Sequence, residues 1–164
     1  MTEQDDRTAV GGVYAASWKE AYRGILPQSS LDALRAERWS GCLDLPGRHN
    51  FLLLDGGQIV GVSAVSAARA QDMAGWGEVI SLYLLPAYQG RGYGKALLTA
   101  ALQHLGNLGF RQAYLWVLEE NRRARRFYEA FGFRESGVVQ EECVEHVRLR
   151  ELRYVWEGGR AHAL

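Results

Sequence analysis

Apolar residues in the first part of the chain recur at three- and four-residue spacing. Val10, Val13, Tyr14, Ser17, Trp18, Ala21 and Tyr22 fall on one face of a helix. Thr2 with Asp5 three residues on offers a cap for its start, and Gly24 and Pro27 end it. A second helix opens at Ser29 or Ser30 and is expected to run through Leu31, Leu34 and Trp39. From Phe51 the pattern changes to short apolar runs. Phe51–Leu54 and Gln58–Val65 flank Asp55-Gly56-Gly57, a hairpin signal, and Glu78–Leu84 is a third strand that Pro86 stops.

Beyond Gln89-Gly90-Arg91-Gly92-Tyr93-Gly94, a helix places Leu97, Leu98, Ala101, Leu102 and Leu105 on one face, and Gly106 and Gly109 close it. Ala113–Leu118 is a short strand. Asn121 caps a helix running to about Phe131, with Gly132 as its stop. The tail to Trp156 holds two more strand-like stretches. This order predicts an α/β (α+β) domain in which a mixed sheet carries helices on its faces.

The length of 164 residues fits one domain and supplies a real core. Nineteen basic and nineteen acidic residues cancel, whereas a chain that rides on nucleic acid or an anionic membrane carries surplus positive charge. No apolar run approaches the ~18 residues of a membrane span, and the acidic N-terminus is unlike a signal peptide. Cys42 and Cys143 form no CxxC, which reads as two unpaired, mostly buried thiols in a cytoplasmic protein. The four histidines are scattered, so no metal site is expected.

The segment Leu82–Lys95 carries the most chemistry. A strand ends, glycines stand at every second position, and a helix begins, so free N–H groups and the helix dipole can meet a phosphate. A P-loop is disfavoured, since Ala96 follows Gly94-Lys95 where Ser or Thr is needed. The dinucleotide fingerprint also fails, because its third glycine is absent. A turn without a ligand, or a different nucleotide site, stays open on these residues alone.

Gln89-Gly90-Arg91-Gly92-Tyr93-Gly94 resembles the acetyl-CoA loop of the GCN5-related N-acetyltransferase (GNAT) superfamily, Gln/Arg-x-x-Gly-x-Gly/Ala. Ile80–Pro86 resembles that family's bulged strand, and Leu115–Leu118, Asn121 and Arg126–Phe133 resemble its second cofactor region. The resemblance runs from roughly Val10 to Trp156. It implies a GNAT-like, mostly antiparallel twisted sheet and a single acetyltransferase domain over residues 1–164. The implied activity is direct transfer from acetyl-CoA to a primary amine of a small molecule or peptide. Gln89, Gly90, Arg91, Gly92, Tyr93, Gly94 and Lys95 would hold the pyrophosphate of coenzyme A. The strand at Leu82, Tyr83 and Leu84 would meet the pantetheine amides, with the Leu84 N–H also facing the oxyanion. Asn121 would bond the pantetheine arm, and Tyr128 would protonate the departing thiolate.

Glu78 is the candidate general base, and it reads equally as an exposed strand-end carboxylate. Trp18 and Tyr22, one helical turn apart, are candidates to line the acceptor cleft or to pack beneath the second helix. Arg122, Arg123, Arg125 and Arg126 read as a solvated helix face, one of them within reach of the 3′-phosphate. The first strand usual in the family is missing or very short, which leaves a sheet edge uncovered and favours a homodimer. The alternative function is a non-catalytic acyl-CoA-binding module of the same fold.

Overall fold

The computed structural model describes residues 7–158. Helix α1 (Arg7–Ala21) buries Val10, Val13, Tyr14 and Ser17, the residues its spacing predicts. The cap expected at Thr2 and Asp5 lies outside the described residues. The second helix is shorter than its sequence pattern: α2 spans Gln28–Asp32, Arg35 is extended, and a 3₁₀ turn covers Ala36–Cys42. The cause is steric. Ala36 crosses α1 at Gly11, where a Cβ would lie 2.4 Å from the Ala36 carbonyl oxygen. Leaving helical geometry there lets the chain pass over α1 and lay Trp39 against Tyr14 and Trp18.

β1 (His49–Asp55) and β2 (Gln58–Ala67) pair antiparallel with Asp55 opposite Gln58, so Gly56-Gly57 is the whole turn. Both glycines have positive φ, the type I′ pattern whose twist matches that of the strands. β3 (Gly77–Leu84) pairs antiparallel with β2, and a register shift leaves Ile80 as a bulge between Val79 and Ser81. Then come α3 (Tyr93–Asn107), β4 (Ala113–Leu118), α4 (Arg122–Phe131), β5 (Arg134–Val144) and β6 (Val147–Trp156).

The six strands lie in the order β1-β2-β3-β4-β6-β5. Every neighbouring pair is antiparallel except β3 and β4. The mixed, mostly antiparallel sheet is the one expected. A strand ahead of α1 would fall outside the described residues, and among those described β1 and β5 are the two sheet edges. Leu98 and Leu105 of α3 and Tyr128 of α4 pack one face of the sheet against Val79, Leu115 and Leu152. α1, α2 and the 3₁₀ turn cover the other face, where Tyr22, Leu26 and Leu31 meet Leu118 and Leu149. Neither Cys42 nor Cys143 is in a disulfide, and Cys143 is exposed rather than buried because β5 turns most of its residues to solvent.

β3 and β4 are paired at only two positions, Gly77 with Ala113 and Glu78 with Tyr114, and then part. The closed end is clamped by charge. Glu78 is 2% exposed. It accepts from the Arg69 guanidinium at 2.6 and 3.0 Å, from the Arg69 main-chain N–H at 3.1 Å and from the Tyr114 hydroxyl at 2.7 Å. Burial pushes its carboxyl up, but the hydrogen bonds from Arg69 and Tyr114 and the guanidinium charge outweigh it and hold the group below the usual range. A group lowered on folding stabilises the fold above its unfolded value near ~4.3 and loses that contribution as pH falls through its folded value. Arg69→Ala is therefore expected to cost roughly 1–3 kcal/mol at pH 7, by leaving a buried carboxylate short of its donors. Denaturant titrations at pH 7 and pH 4 should show the penalty shrinking at the lower pH.

Candidate active site

The glycine-rich turn enters α3 through Gly90 at φ +77° and Gly92 at φ +84°, the latter being the N-cap of the helix. A Cβ built at either glycine meets nothing within 4 Å, so the concave side of the turn is open. The first intrahelical bond runs from Ala96 N–H to the Gly92 carbonyl, so the N–H groups of Tyr93, Gly94 and Lys95 have no helical acceptor. No acidic side chain occupies the first turn. These donors, together with the helix dipole, form an anion cradle.

The side chains of the turn mostly hold its shape. Gln89 donates back to the Leu84 carbonyl at 3.4 Å, and the Tyr93 hydroxyl donates to Asp55 at 3.1 Å. Arg91 lies over the Tyr88 ring. What Gln89, Arg91 and Tyr93 offer a ligand is main chain. Gly94 sits where α3 meets α4, and a Cβ there would lie 3.4 Å from the Phe127 ring.

Where β3 leaves β4, the Leu85 N–H donates to the Val60 carbonyl of β2. By strand alternation Tyr83 also turns its main chain to β2, while Leu82 and Leu84 turn theirs into the gap. Leu82 and Leu84 thus lie where an extended ligand arm could add to the sheet. Tyr83 does not belong with them: its ring packs edge-on against Tyr14 of α1, at 5.2 Å between centroids.

On the far side of the gap, Asn121 caps α4 by accepting from the Ala124 N–H at 3.0 Å. Its Nδ2 makes no hydrogen bond among the described residues. Two turns on, Tyr128 is 8% exposed, packed by Phe127 and Phe133. Its hydroxyl has no partner among the described residues. Burial, and secondarily Tyr83, push the phenol well above its ordinary value, so it stays protonated. Of the arginines that follow Asn121, Arg125 is engaged by Tyr154, the Glu119 carbonyl and Glu135, and Arg122, Arg123 and Arg126 are exposed.

The opposite side of β3 faces α1. Trp18 and Tyr22 stack at 4.5 Å, and Tyr22 is buried against Leu118. Burial pushes the Tyr83 phenol up to about 12. Ser17 donates to the Leu84 carbonyl at 3.0 Å, and Tyr14 and Ser81 share a hydrogen bond of 2.9 Å. Ser17 and Tyr14 carry an obvious helical spacing, yet nothing in the sequence says that this stripe would tether β3.

Glu78 does not fit the base role. It stands at the closed end of β3, buried rather than exposed, with both oxygens saturated and its carboxyl lowered. Such a group has little capacity to accept a proton. Among the described residues no His, Cys, Asp or Glu group has the makings of a metal site, and no helix is long and apolar enough to cross a membrane.

Residues 13–133 match the model of the Acetyltransferase (GNAT) family. An uncharacterised N-acetyltransferase of Mycobacterium tuberculosis is 31% identical over 159 residues, covering 93% of this chain and 99% of that protein. Mycothiol acetyltransferase of Streptomyces avermitilis is 37% identical over 130 residues, but these cover 79% of this chain and only 40% of that longer protein. The PaiA N-acetyltransferase of Thermoplasma acidophilum, solved in complex with coenzyme A, shares the fold with a TM-score of 0.71 at 19% identity, covering 93% and 92% of the two chains.

Gly92→Val would place a branched side chain in the open cradle and strain a left-handed position by about 1–2 kcal/mol. Calorimetric titration should find coenzyme A affinity reduced more than tenfold in a protein whose circular dichroism is unchanged. Undiminished affinity would remove the turn from the cofactor site.

Proposed function

The chain belongs to the GNAT acetyltransferase family, and from that membership we propose that it moves the acetyl group of acetyl-CoA to a primary amine of a small molecule or peptide. The observation that carries the assignment of residues is a matched set of unspent hydrogen-bonding groups around one gap. These are the α3 N–H groups, the Leu82 main chain, the Leu84 N–H, Asn121 Nδ2 and the Tyr128 hydroxyl, the Leu84 carbonyl being already taken by Ser17 and Gln89. They suit a ligand with a pyrophosphate at one end and an amide-bearing arm at the other.

In this reading the N–H groups from Gly90 to Lys95 hold the pyrophosphate. Leu82 lends its main chain and Leu84 its N–H to the arm, as an added strand would use them. Asn121 donates its Nδ2 to the same arm while its Oδ1 keeps the helix cap. Acetyl-CoA supplies the thioester, an acyl group already activated toward a neutral amine. Tyr128 supplies the proton that the leaving sulfur takes, a contribution typically worth ~10²–10⁴-fold. Trp18, Tyr22 and Tyr83 line the approach of the amine. A small-molecule acceptor is supported by the resemblance to mycothiol acetyltransferase over 130 residues, 79% of this chain.

The same reading takes the chain as one catalytic domain working in the cytoplasm. It takes the uncovered edge of β1 as the contact of a homodimer. Sedimentation equilibrium should then find twice the chain mass.

The test is free-thiol release from acetyl-CoA across polyamines, amino acids, aminoglycosides and short peptides. Release is expected with one class. Tyr128→Phe should lower kcat by about 10²-fold, in keeping with the loss of a general acid, while leaving coenzyme A affinity within twofold. Binding of acetyl-CoA without release to any acceptor would favour a binding module instead.

A further inference from the structure

On the α1 side of the sheet one carboxylate has no cationic partner among the described residues. Glu151 of β6 stands directly opposite Leu118 of β4 on one side and Gln140 of β5 on the other. Residues directly opposed in an antiparallel pair share a face. Glu151 therefore projects from the face on which Leu118 packs against Tyr22. Gln140 Nε2 donates to it at 2.5 Å and fixes it from the outer strand.

The group is half-buried, yet no cation pairs with it among the described residues. The nearby arginines are committed elsewhere. Arg153, two residues on and on the same face, is held by Asp72 and lies over Trp116. Arg150 turns to the other face and pairs with Glu119 and Glu141. Arg38 stacks on Trp18 and Trp39.

Two phenols register the charge of Glu151. Burial is the main reason that Tyr22 and Tyr83 are raised, and Glu151 adds to both, with Glu142 adding further at Tyr22, while Arg48, which donates to Tyr14 and Asn50, pulls Tyr83 the other way. Leu118, its partner across the ladder, packs against Tyr22, so the carboxylate stands on the Tyr22 side of the sheet, and Tyr22 is backed by Trp18. A carboxylate without a cationic partner, set near the stacked Trp18 and Tyr22 rings, has the chemistry of an ammonium receptor, Coulomb attraction joined by the ring quadrupole. A half-buried anion left unpaired is costly, and a ligand cation removes that cost.

We propose that Glu151 is the counter-ion of the acceptor, binding the ammonium group of a cationic amine beside Tyr22 and so selecting acceptors of that class. The proposal rests on the acetyltransferase reading for its setting, but the recognition itself needs no turnover.

The experiment is calorimetric titration of 1,4-diaminobutane, with 1,4-butanediol as the neutral control, into coenzyme A-saturated wild type, Glu151→Gln and Glu151→Asp. The wild type should bind the diamine and not the diol. Glu151→Gln should bind it at least tenfold more weakly with coenzyme A affinity unchanged, and Glu151→Asp should recover part of the loss. In turnover, KM for a cationic acceptor should rise in Glu151→Gln by a similar factor with kcat within threefold. Equal diamine affinity in wild type and Glu151→Gln, or no diamine binding by the wild type, overturns the proposal. Diamine binding that depends on Glu151, in a protein that never releases thiol, would uphold this site and defeat the transfer reading instead.

Discussion

The parting of β3 from β4 is the constraint on which the rest of the molecule depends. Two paired residues hold the strands together, and beyond them the main chain at Leu82 and Leu84 faces a gap instead of a ladder. Unpaired peptide groups in a buried place are costly, so such a gap persists only when something holds it open and something else fills it. Glu78 and Tyr114 are the last paired residues, and their hydrogen bond, completed by Arg69, locks the junction. Further along, Ser17 and Tyr14 draw β3 toward α1, while Leu115 and Val117 of β4 pack with the α3 and α4 side of the core. The strands are pulled to opposite layers from a fixed hinge.

This arrangement divides the chemistry by face. The Ile80 bulge shifts the phase of β3 by one residue, so that Ser81 and Tyr83 present to α1 and the main chain of Leu82 and Leu84 presents to the gap. A strand without the bulge would exchange these orientations. The glycine turn that follows β3 carries the chain across to α3, and its anion cradle opens at the mouth of the same gap. Asn121 and Tyr128, on one face of α4, border it from the β4 side. The phosphate end and the arm of the proposed ligand are thus read by main-chain groups of consecutive segments. In the proposed function the acceptor side falls to side chains from α1, β3 and β6.

That division explains what was legible in the sequence. The hairpin at Gly56-Gly57, the Asn121 cap, the Gly132 stop and the Gly90–Gly94 turn are local devices, each written in a few adjacent residues. They told where the elements begin and end and where a phosphate could sit. The burial of Glu78 is not legible locally, because its surroundings come from Arg69 and Tyr114, brought to it by a loop and a neighbouring strand. The second helix was drawn too long because its break is imposed by the crossing at Gly11, a contact across 25 residues. Glu151 was missed although a faint signal existed: it shares the two-residue phase of Leu149, Arg153 and Val155, all of them buried. A charged residue in the buried phase of a strand is a question, but its answer required the register of three strands.

The environment of Tyr128 bears on why a phenol serves as the proposed proton donor. Burial raises its pKa, which keeps the proton on the oxygen at every physiological pH but also makes it a weaker acid. In water that would leave it poorly matched to a thiolate, since an ordinary thiol titrates near ~8.5. Inside the gap the comparison changes. The same desolvation that disfavours a phenolate disfavours a thiolate, so the sulfur's proton affinity rises along with that of the phenol. The two stay within range of each other, which is the condition for efficient general acid catalysis. The free hydroxyl completes the argument. Because Tyr128 has no hydrogen-bond acceptor among the described residues, its proton is not committed within the protein and is available to the group that develops charge beside it.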